Sequence, residues 1–197
     1  SPGGNEWTGL HGRGSTGLGA TEYHNVTWDS RFDVVTGGSQ DNGTTVQRST
    51  GDVVWTEYFG NDGGDVQVDT ENAGAGQVFR YISDQNGPLR RHTFNSATNQ
   101  TASTVIQPNL TNFNAYFVPQ YELNKVNPSR IVAGGGGTSP VYELTNADTA
   151  TGTGDANWTA VPVGAGFTTV NNNDDACFVA GGRMNGMDND DVLVVGS

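Results

Sequence analysis

Cysteine, basic residues and long apolar runs are all scarce in this chain. Its 197 residues include one cysteine, Cys177, so no disulfide can form within the chain. Cys177 lies in the apolar run ACFVA and is interpreted as a core residue, because free cysteine is usually buried. No apolar run is long enough to cross a bilayer as a helix, so we expect no membrane insertion.

Lys and Arg total nine against 21 Asp and Glu, which gives a formal charge of −12. Nucleic acids and anionic membranes attract basic patches, so this charge argues against both as partners. It fits a soluble protein that could bind cations. Together with the acidity, Asn-x-Ser/Thr sequons favour a secreted, extracellular or cell-surface location; they start at Asn25, Asn42, Asn99, Asn109 and Asn157.

A helical period of 3.6 residues is also missing, and Gly, Asn, Asp and Thr are abundant, which disfavours helix interiors. The stretch Val34–Asp65 instead holds three short β-type runs separated by turns. Val34–Thr36 is β-branched, the turn after it carries the hairpin signal Asn42-Gly43, and Val53–Phe59 forms another strand after Thr44–Arg48. The pattern predicts a β-meander in an all-β protein.

A motif resembling the first of these runs recurs along the chain. VVTGGSQDNG, VFRYISDQNG, IVAGGGG and FVAGGRMNG end at Gly43, Gly87, Gly137 and Gly186, about 44 to 50 residues apart. Each is interpreted as the second strand of a four-stranded unit. The predicted first strands are Tyr23–Asp29, Asp65–Glu71, Ala115–Leu123 and Gly166–Asn172. Later strands are predicted around Trp55 and Trp158 and over Ala102–Gln107 and Asp191–Gly196.

Four strands in each repeat are typical of β-propeller blades, and a β-sandwich is the alternative. We expect one domain over residues 1–197, with blade units at about 21–60, 61–110, 113–163 and 164–197. Residues 5–10, which include Trp7-Thr8, predict a fourth strand that closes the last blade. Another copy of the chain could complete that split blade instead, which predicts self-association.

Several of these segments resemble the BNR/Asp-box propellers. They are GLGATEY at 17–23, GGSQDNGT at 37–44, Trp55, and GNDGGD at 60–65. That group includes sortilin-type receptor domains, photosystem II assembly factors, sialidases and xyloglucan-cleaving glycoside hydrolases. An Asp-box reads Ser/Thr-x-Asp-x-Gly-x-x-Trp, and the turns around Asp52 and Asp155 lack its glycine. The resemblance implies that both aspartates shape turns and that the tryptophans after them pack between blades.

In such blades the second-to-third turns share one rim with the connections between blades. The acidic and amide-rich turns predicted there are Thr21-Glu22, 40–42, 61–65, 84–86 and Met184–Asp190, with the Asp-box turns and Pro128-Ser129 on the opposite rim. This rim suits a hydroxyl-rich ligand. The candidate ligand-binding residues are Glu22, Gln40, Asp41, Asn42, Asp62, Asp84 and Gln85.

Calcium is the candidate cofactor, because Ca²⁺ prefers carboxylate, amide and carbonyl oxygens. The candidate ligands are Asp62, Asp65, Asp188 and Asp190. The segments lack EF-hand spacing, and the alternative is that Asn, Asp and Gly simply make turns. The histidines His11, His24 and His92 have no metal-type spacing.

Hydrolysis of a glycan would need two carboxylates facing each other across a cleft. Asp41 and Asp62 are the candidates, although the sequence does not show that they meet. In the xyloglucanases of the group that this chain resembles, the cleft lies between two whole propellers, and this chain is too short to form both. The sialidases of that group need an arginine triad. Aromatic residues could stack on sugars if exposed but are more often core; they are Trp28, Tyr58, Tyr81, Phe113 and Tyr116.

We therefore expect an extracellular, non-catalytic binding or scaffolding module that presents its acidic rim to a glycan or a protein. The first alternative is a glycoside hydrolase of the BNR superfamily. The second is a structural subunit that assembles through its repeated units.

Overall fold

The computed structural model describes residues 21–86, 88–98, 100–108, 117–135, 141–161 and 177–196. This described part of the chain is all β, with 14 strands in four antiparallel sheets and no helix. It accordingly contains no helix that could cross a membrane. The all-β prediction is confirmed.

Sheet I is the predicted meander. Its four strands are, in spatial order, β1 (Tyr23–Asp29), β2 (Val34–Ser39), β3 (Gly43–Gln47) and β4 (Trp55–Phe59). The first strand has the predicted bounds, and the others differ by a few residues. The turn from β2 to β3 places Asp41 and Gly43 at φ values of 60° and 67°, the left-handed region that Asp and Gly tolerate.

Sheet II repeats this order in the next four strands of the chain. Its first strand ends at Asp69 rather than at the predicted Glu71, because the Asp69 carboxylate accepts the backbone N–H groups of Glu71 and Asn72 and starts the turn. The strands are β5 (Gly63–Asp69), β6 (Gln77–Asp84), β7 (Arg90–Asn95) and β8 (Gln100–Val105).

Sheet III has the same order in shorter strands, and sheet IV is a hairpin of two. The predicted strand Ala115–Leu123 is confirmed only at its end, and its residues 115 and 116 lie outside the described residues. So do the strands predicted at 5–10 and Gly166–Asn172. The strands are β9 (Tyr121–Leu123), β10 (Ile131–Gly134), β11 (Val141–Leu144), β12 (Trp158–Ala160), β13 (Cys177–Met184) and β14 (Met187–Gly196).

Successive sheets pack side by side through their first strands. β5 lies beside β1, β9 lies beside β5, and β13 lies beside β9. Among the described strands, β13 therefore takes the place of a first strand, whereas its FVAGG motif predicted a second strand. The prediction was wrong because the motif matches a short apolar run followed by glycines, which either strand can supply.

Each sheet has two ends, because consecutive strands are antiparallel. The front end holds the start of the first strand and the turn from the second strand to the third. The back end holds the first-to-second and third-to-fourth turns. The predicted rim corresponds to the front end.

The largest apolar core lies between sheets II and III, where Tyr81 and Ile106 of sheet II meet Tyr121, Leu144 and Trp158 of sheet III. The Trp158 indole N–H also donates to the carbonyl oxygen of Ile106, at 2.6 Å. Trp158 thus packs between two sheets.

Candidate functional site

The front ends of sheets I and II bring most of the predicted ligand-binding residues together. The backbone N–H of Asp41 donates to Asp62 Oδ1 at 2.7 Å, and this bond joins the two sheets. The backbone N–H of Gln40 donates to the carbonyl oxygen of Glu22 at 3.3 Å. The Asn42 amide donates to Thr21 Oγ1 at 3.2 Å.

The turn between β6 and β7 joins the same surface. The N–H of Gln85 donates to the carbonyl oxygen of Asp62 at 3.0 Å, and the amide of Asn61 donates to Asp84 Oδ2 at 3.5 Å. We call this set the acidic turn surface; it comprises Glu22, Gln40, Asp41, Asn42, Asp62, Asp84 and Gln85.

Backbone conformation explains part of the Asp and Asn content of the turns at this surface. Asp41, Asn61 and Asn86 have φ values of 60°, 72° and 46°, in the region where Asn and Asp are enriched. Asp84 is buried and Asp62 is half-buried, and each accepts a bond that holds the turns. The exposed side chains of this surface that remain for a ligand are those of Glu22, Asp41, Asn42 and Gln85.

The four predicted calcium ligands are not brought together. Asp65 is buried, and its carboxylate accepts the backbone N–H groups of Val66 and Tyr121. Burial raises the pKa of Asp65 to about 7, against the opposing effect of these bonds. Its carboxylate oxygens are therefore engaged in hydrogen bonds within sheet II and between sheets II and III.

Asp190 and Asp188 lie at the back end, contrary to the predicted placement of Met184–Asp190 on the rim. The Asn127 amide, just after β9, donates to Asp190 Oδ2 at 3.2 Å. Arg183 pairs with Asp188 at 3.2 Å. The prediction failed because β13 runs as a first strand, which sends its hairpin to the opposite end. Within the described residues, no group of three or more acidic, His or Cys side chains could hold a metal ion.

A second site is an open cleft of about 620 Å³ between sheets I and II. Of its lining residues, only Tyr58 was among the aromatic residues named from the sequence. The rings of Phe32, Tyr58 and Phe94 line it, and Phe32 packs edge-on against Phe94 at 5.2 Å between centroids. Hydroxyl and amide groups complete its walls, from Gln47, Ser49, Thr50, Thr56, Ser96 and Thr101. We call this site the aromatic cleft.

Arg80 supplies the floor of the aromatic cleft. Its guanidinium lies 4.9 Å from the ring centroid of Phe94 and 5.4 Å from that of Tyr58, within the range of a cation–π contact. One terminal nitrogen bonds Asp29, while the buried Nε has no hydrogen-bond partner among the described residues. The guanidinium therefore packs beneath the rings that line the cleft, and its Nε is not exposed to a ligand there.

Tyr58 adds a hydroxyl group to this floor. Burial raises the pKa of that hydroxyl, against the opposing effects of neighbouring Thr101 and Arg80. The hydroxyl oxygen is itself buried, so the ring rather than the hydroxyl borders the open part of the cleft. No carboxylate belongs to the described lining of the cleft, whose charged members are Arg48 and Arg80.

The other aromatic and histidine candidates divide between core and surface. Tyr81 is fully buried and Trp28 is exposed, while Phe113 and Tyr116 lie outside the described residues. His24 is exposed. His92 is buried, and its burial, together with Arg90 and Arg80, lowers its pKa to about 4.

The two turns that resemble Asp-boxes differ in their bonding. Asp155 accepts the backbone N–H groups of Thr151 and Gly152, both at 3.0 Å. These bonds lower the pKa of Asp155. Asp52 accepts one such bond, from Val54 at 2.8 Å. Both aspartates lie at the back end of their sheets and shape turns.

In comparisons with protein-family models, curated proteins and solved structures, none matches this chain. The resemblance to Asp-box propellers therefore rests on the residues quoted above.

Proposed function

We propose that this protein is a non-catalytic binding module built on β-propeller blades, and that it takes a saccharide in the aromatic cleft. The succession of three four-stranded meanders with adjacent first strands supports the blade architecture. The observation that carries the function is the cleft itself. A site of about 620 Å³ is in the range that small ligands occupy.

The chemistry of the lining favours a sugar. Aromatic rings such as Tyr58 and Phe94 pack against the apolar face of a pyranose, while hydroxyl and amide groups bond its hydroxyls. The hydroxyl and amide side chains of the lining are the groups that such a ligand can reach, and Arg48 adds a charged donor. A wholly apolar ligand would displace water from these groups without replacing its hydrogen bonds.

The lining of the cleft supports binding rather than glycoside hydrolysis. Glycoside hydrolysis uses a pair of carboxylates beside the scissile bond, and the described lining of the cleft provides none. Our proposal for this cleft is therefore a binding site.

The acidic turn surface supports a second candidate function, glycoside hydrolysis. The bond from the Asp41 N–H to Asp62 Oδ1 keeps these two acidic residues side by side at the front end. We retain them as the catalytic pair of that alternative. An extracellular location and a protein partner at this surface belong to the proposal as well.

A polysaccharide panel tests these functions together. The protein is incubated with insoluble polysaccharides, with and without EDTA, and both co-sedimentation and release of reducing ends are measured. Retention without release supports the binding module, and its loss in EDTA indicates a role for a divalent cation. Release of reducing ends that Asp41→Asn or Asp62→Asn abolishes would overturn the proposal in favour of the hydrolase.

A further inference from the structure

The first and last sheets of the series each leave one apolar face uncovered by the described residues. On β1 of sheet I, Val26 and Trp28 are 55% and 60% exposed. On sheet IV, Val179 and Val194 are 53% and 58% exposed, and they are direct cross-strand partners. Exposed apolar groups that adjoin in this way mark interaction surfaces rather than isolated surface residues.

The two uncovered faces lie on opposite sides of their sheets. Each sheet in the series packs one face on the preceding sheet and the other face on the following sheet. In sheet III, Trp158 faces sheet II, whereas Val132 and Val141 face sheet IV. The residues of sheet IV that pack against them are Phe178, Ala180, Leu193 and Val195. Neighbouring residues of a strand point to opposite faces, so Val179 and Val194 lie on the face turned away from sheet III. We call this the forward face of sheet IV.

The uncovered face of sheet I is the one turned away from sheet II. A side chain at Gly38 would meet the backbone of Gly63 and Gly64 in sheet II, so Gly38 faces that sheet. A side chain at the neighbouring Gly37 would instead meet Tyr23 and Val26. Val26 therefore lies on the opposite face, which we call the rear face of sheet I.

Trp55 in sheet I corresponds in position to Trp158 in sheet III. It begins β4 as Trp158 begins β12, and each is followed by a threonine. Trp158 packs on the preceding sheet and donates to the Ile106 carbonyl there. Trp55 packs against Tyr23 at 5.7 Å between centroids, within its own sheet. Trp55 thus occupies in sheet I the position from which Trp158 joins sheet III to the preceding sheet.

We propose that the forward face of sheet IV in one copy packs on the rear face of sheet I in a second copy. The contact continues the series of sheets head to tail, and Trp28 and Trp55 cover Val179 and Val194. Because the two faces differ, the contact is heterologous, and its repetition produces either a closed ring or an open filament of copies. The proposal is independent of the aromatic cleft, which lies between sheets I and II of one chain.

The test is the mass of the protein by sedimentation velocity over a range of concentrations. The variants are Val26→Lys on the rear face and Val194→Lys on the forward face. Val53→Lys is the matched control, because Val53 is 90% exposed and lies in the turn before β4, outside the strands that form the two faces. Wild type and the control are expected to show mass rising with concentration. Each face variant is expected to remain a monomer, with the melting temperature that wild type has at concentrations low enough to be monomeric.

A mixture of the two face variants gives a second readout. Each retains one intact face, so the mixture is expected to form a dimer of one copy of each and nothing larger. A wild-type mass that stays monomeric, with its tryptophans shielded from acrylamide quenching, would overturn the proposal and indicate a ring closed within one chain. Association that both face variants retain would also overturn it.

Discussion

The guanidinium of Arg80 in sheet II lies 2.8 Å from the carboxylate of Asp29 at the end of β1, and both side chains are almost completely buried. The other carboxylate oxygen of Asp29 accepts the backbone N–H groups of Arg31 and Phe32. One residue therefore ends a strand and attaches the next sheet. The same pair of tasks recurs at Asn124, which accepts the N–H groups of Val126 and Asn127 and donates to the Asp190 carbonyl in sheet IV.

Breaking this ion pair is expected to destabilise the protein strongly. Asp29→Ala leaves the buried Arg80 charge without its partner, which costs about 3–5 kcal/mol at comparable buried pairs. Urea unfolding at neutral pH measures the free energy. Arg183→Gln is the control, because its pair with Asp188 is exposed and is worth about 0–1 kcal/mol. Equal effects of the two substitutions would show that the Asp29 pair does not hold sheets I and II together.

Glycine at position 38 is expected to be required for the contact between sheets I and II. A Cβ there would meet the Gly64 carbonyl oxygen and lie 2.9 Å from the carbonyl carbon of Gly63, and both are backbone atoms that cannot rotate away. We expect Gly38→Ala to cost at least ~1–3 kcal/mol, the usual range for overpacking. Thermal and urea unfolding provide the measurement.

Gly152→Ala is the matched control for that substitution. A Cβ at Gly152 meets nothing within 4 Å, so alanine should leave stability unchanged or raise it by up to about 1 kcal/mol. If Gly38→Ala were as stable as Gly152→Ala, the two sheets would not approach as closely as described.

Asp65 is expected to make stability fall as pH rises. Burial raises its pKa from 3.8 to about 7, so the folded state binds its proton more tightly than the unfolded state. The stabilising contribution of the protonated group is complete below about pH 4 and is lost as pH rises to about 7. Each unit of pKa difference is worth about 1.4 kcal/mol. Glu122 adds to the effect, whereas Gln67 and the Tyr121 N–H oppose it.

The comparison that isolates this effect is wild type against Asp65→Asn, unfolded with urea at several pH values. The pKa of His92 is lowered to about 4, so His92 makes stability rise with pH below pH 6.5, opposite to the effect of Asp65. Both proteins contain His92, so its effect cancels in the difference between their free energies of unfolding. We expect the stability of Asp65→Asn relative to wild type to increase between pH 4 and pH 7. A difference that is constant with pH would contradict a raised pKa.

The sequence predicted the parts of the fold that local patterns determine. β1 has its predicted bounds, because β-type residues there run up to Asp29, which starts a turn. The turns of the acidic surface meet as the meander topology predicts. The hairpin at Met184–Asp190 was assigned to the wrong end, because strand direction depends on which strand packs on β9, a long-range contact.

The aromatic cleft could not be predicted from sequence for a related reason. Its lining comes from the strands and turns of two sheets, and Tyr58 and Arg80 are brought together only by the packing of sheet I on sheet II. No spacing in the chain marks such a set. Two separate signals were available. Tyr58 was among the aromatic residues named for sugar stacking, and Arg80 stands within an apolar second strand, where a buried charge requires a partner.

The measurement that tests the proposed function most directly is calorimetric titration with cello-, xylo-, malto- and manno-oligosaccharides. Thr56→Trp fills the mouth of the cleft, and Thr159→Trp is its matched control, because both threonines are exposed and follow the tryptophan that begins a fourth strand. We expect wild type and Thr159→Trp to bind one of these sugars equally, and Thr56→Trp to bind it at least about tenfold more weakly, a loss of ~1.4 kcal/mol. Equal binding by Thr56→Trp, or no binding of any sugar by wild type, would contradict the assignment of the cleft as a saccharide site.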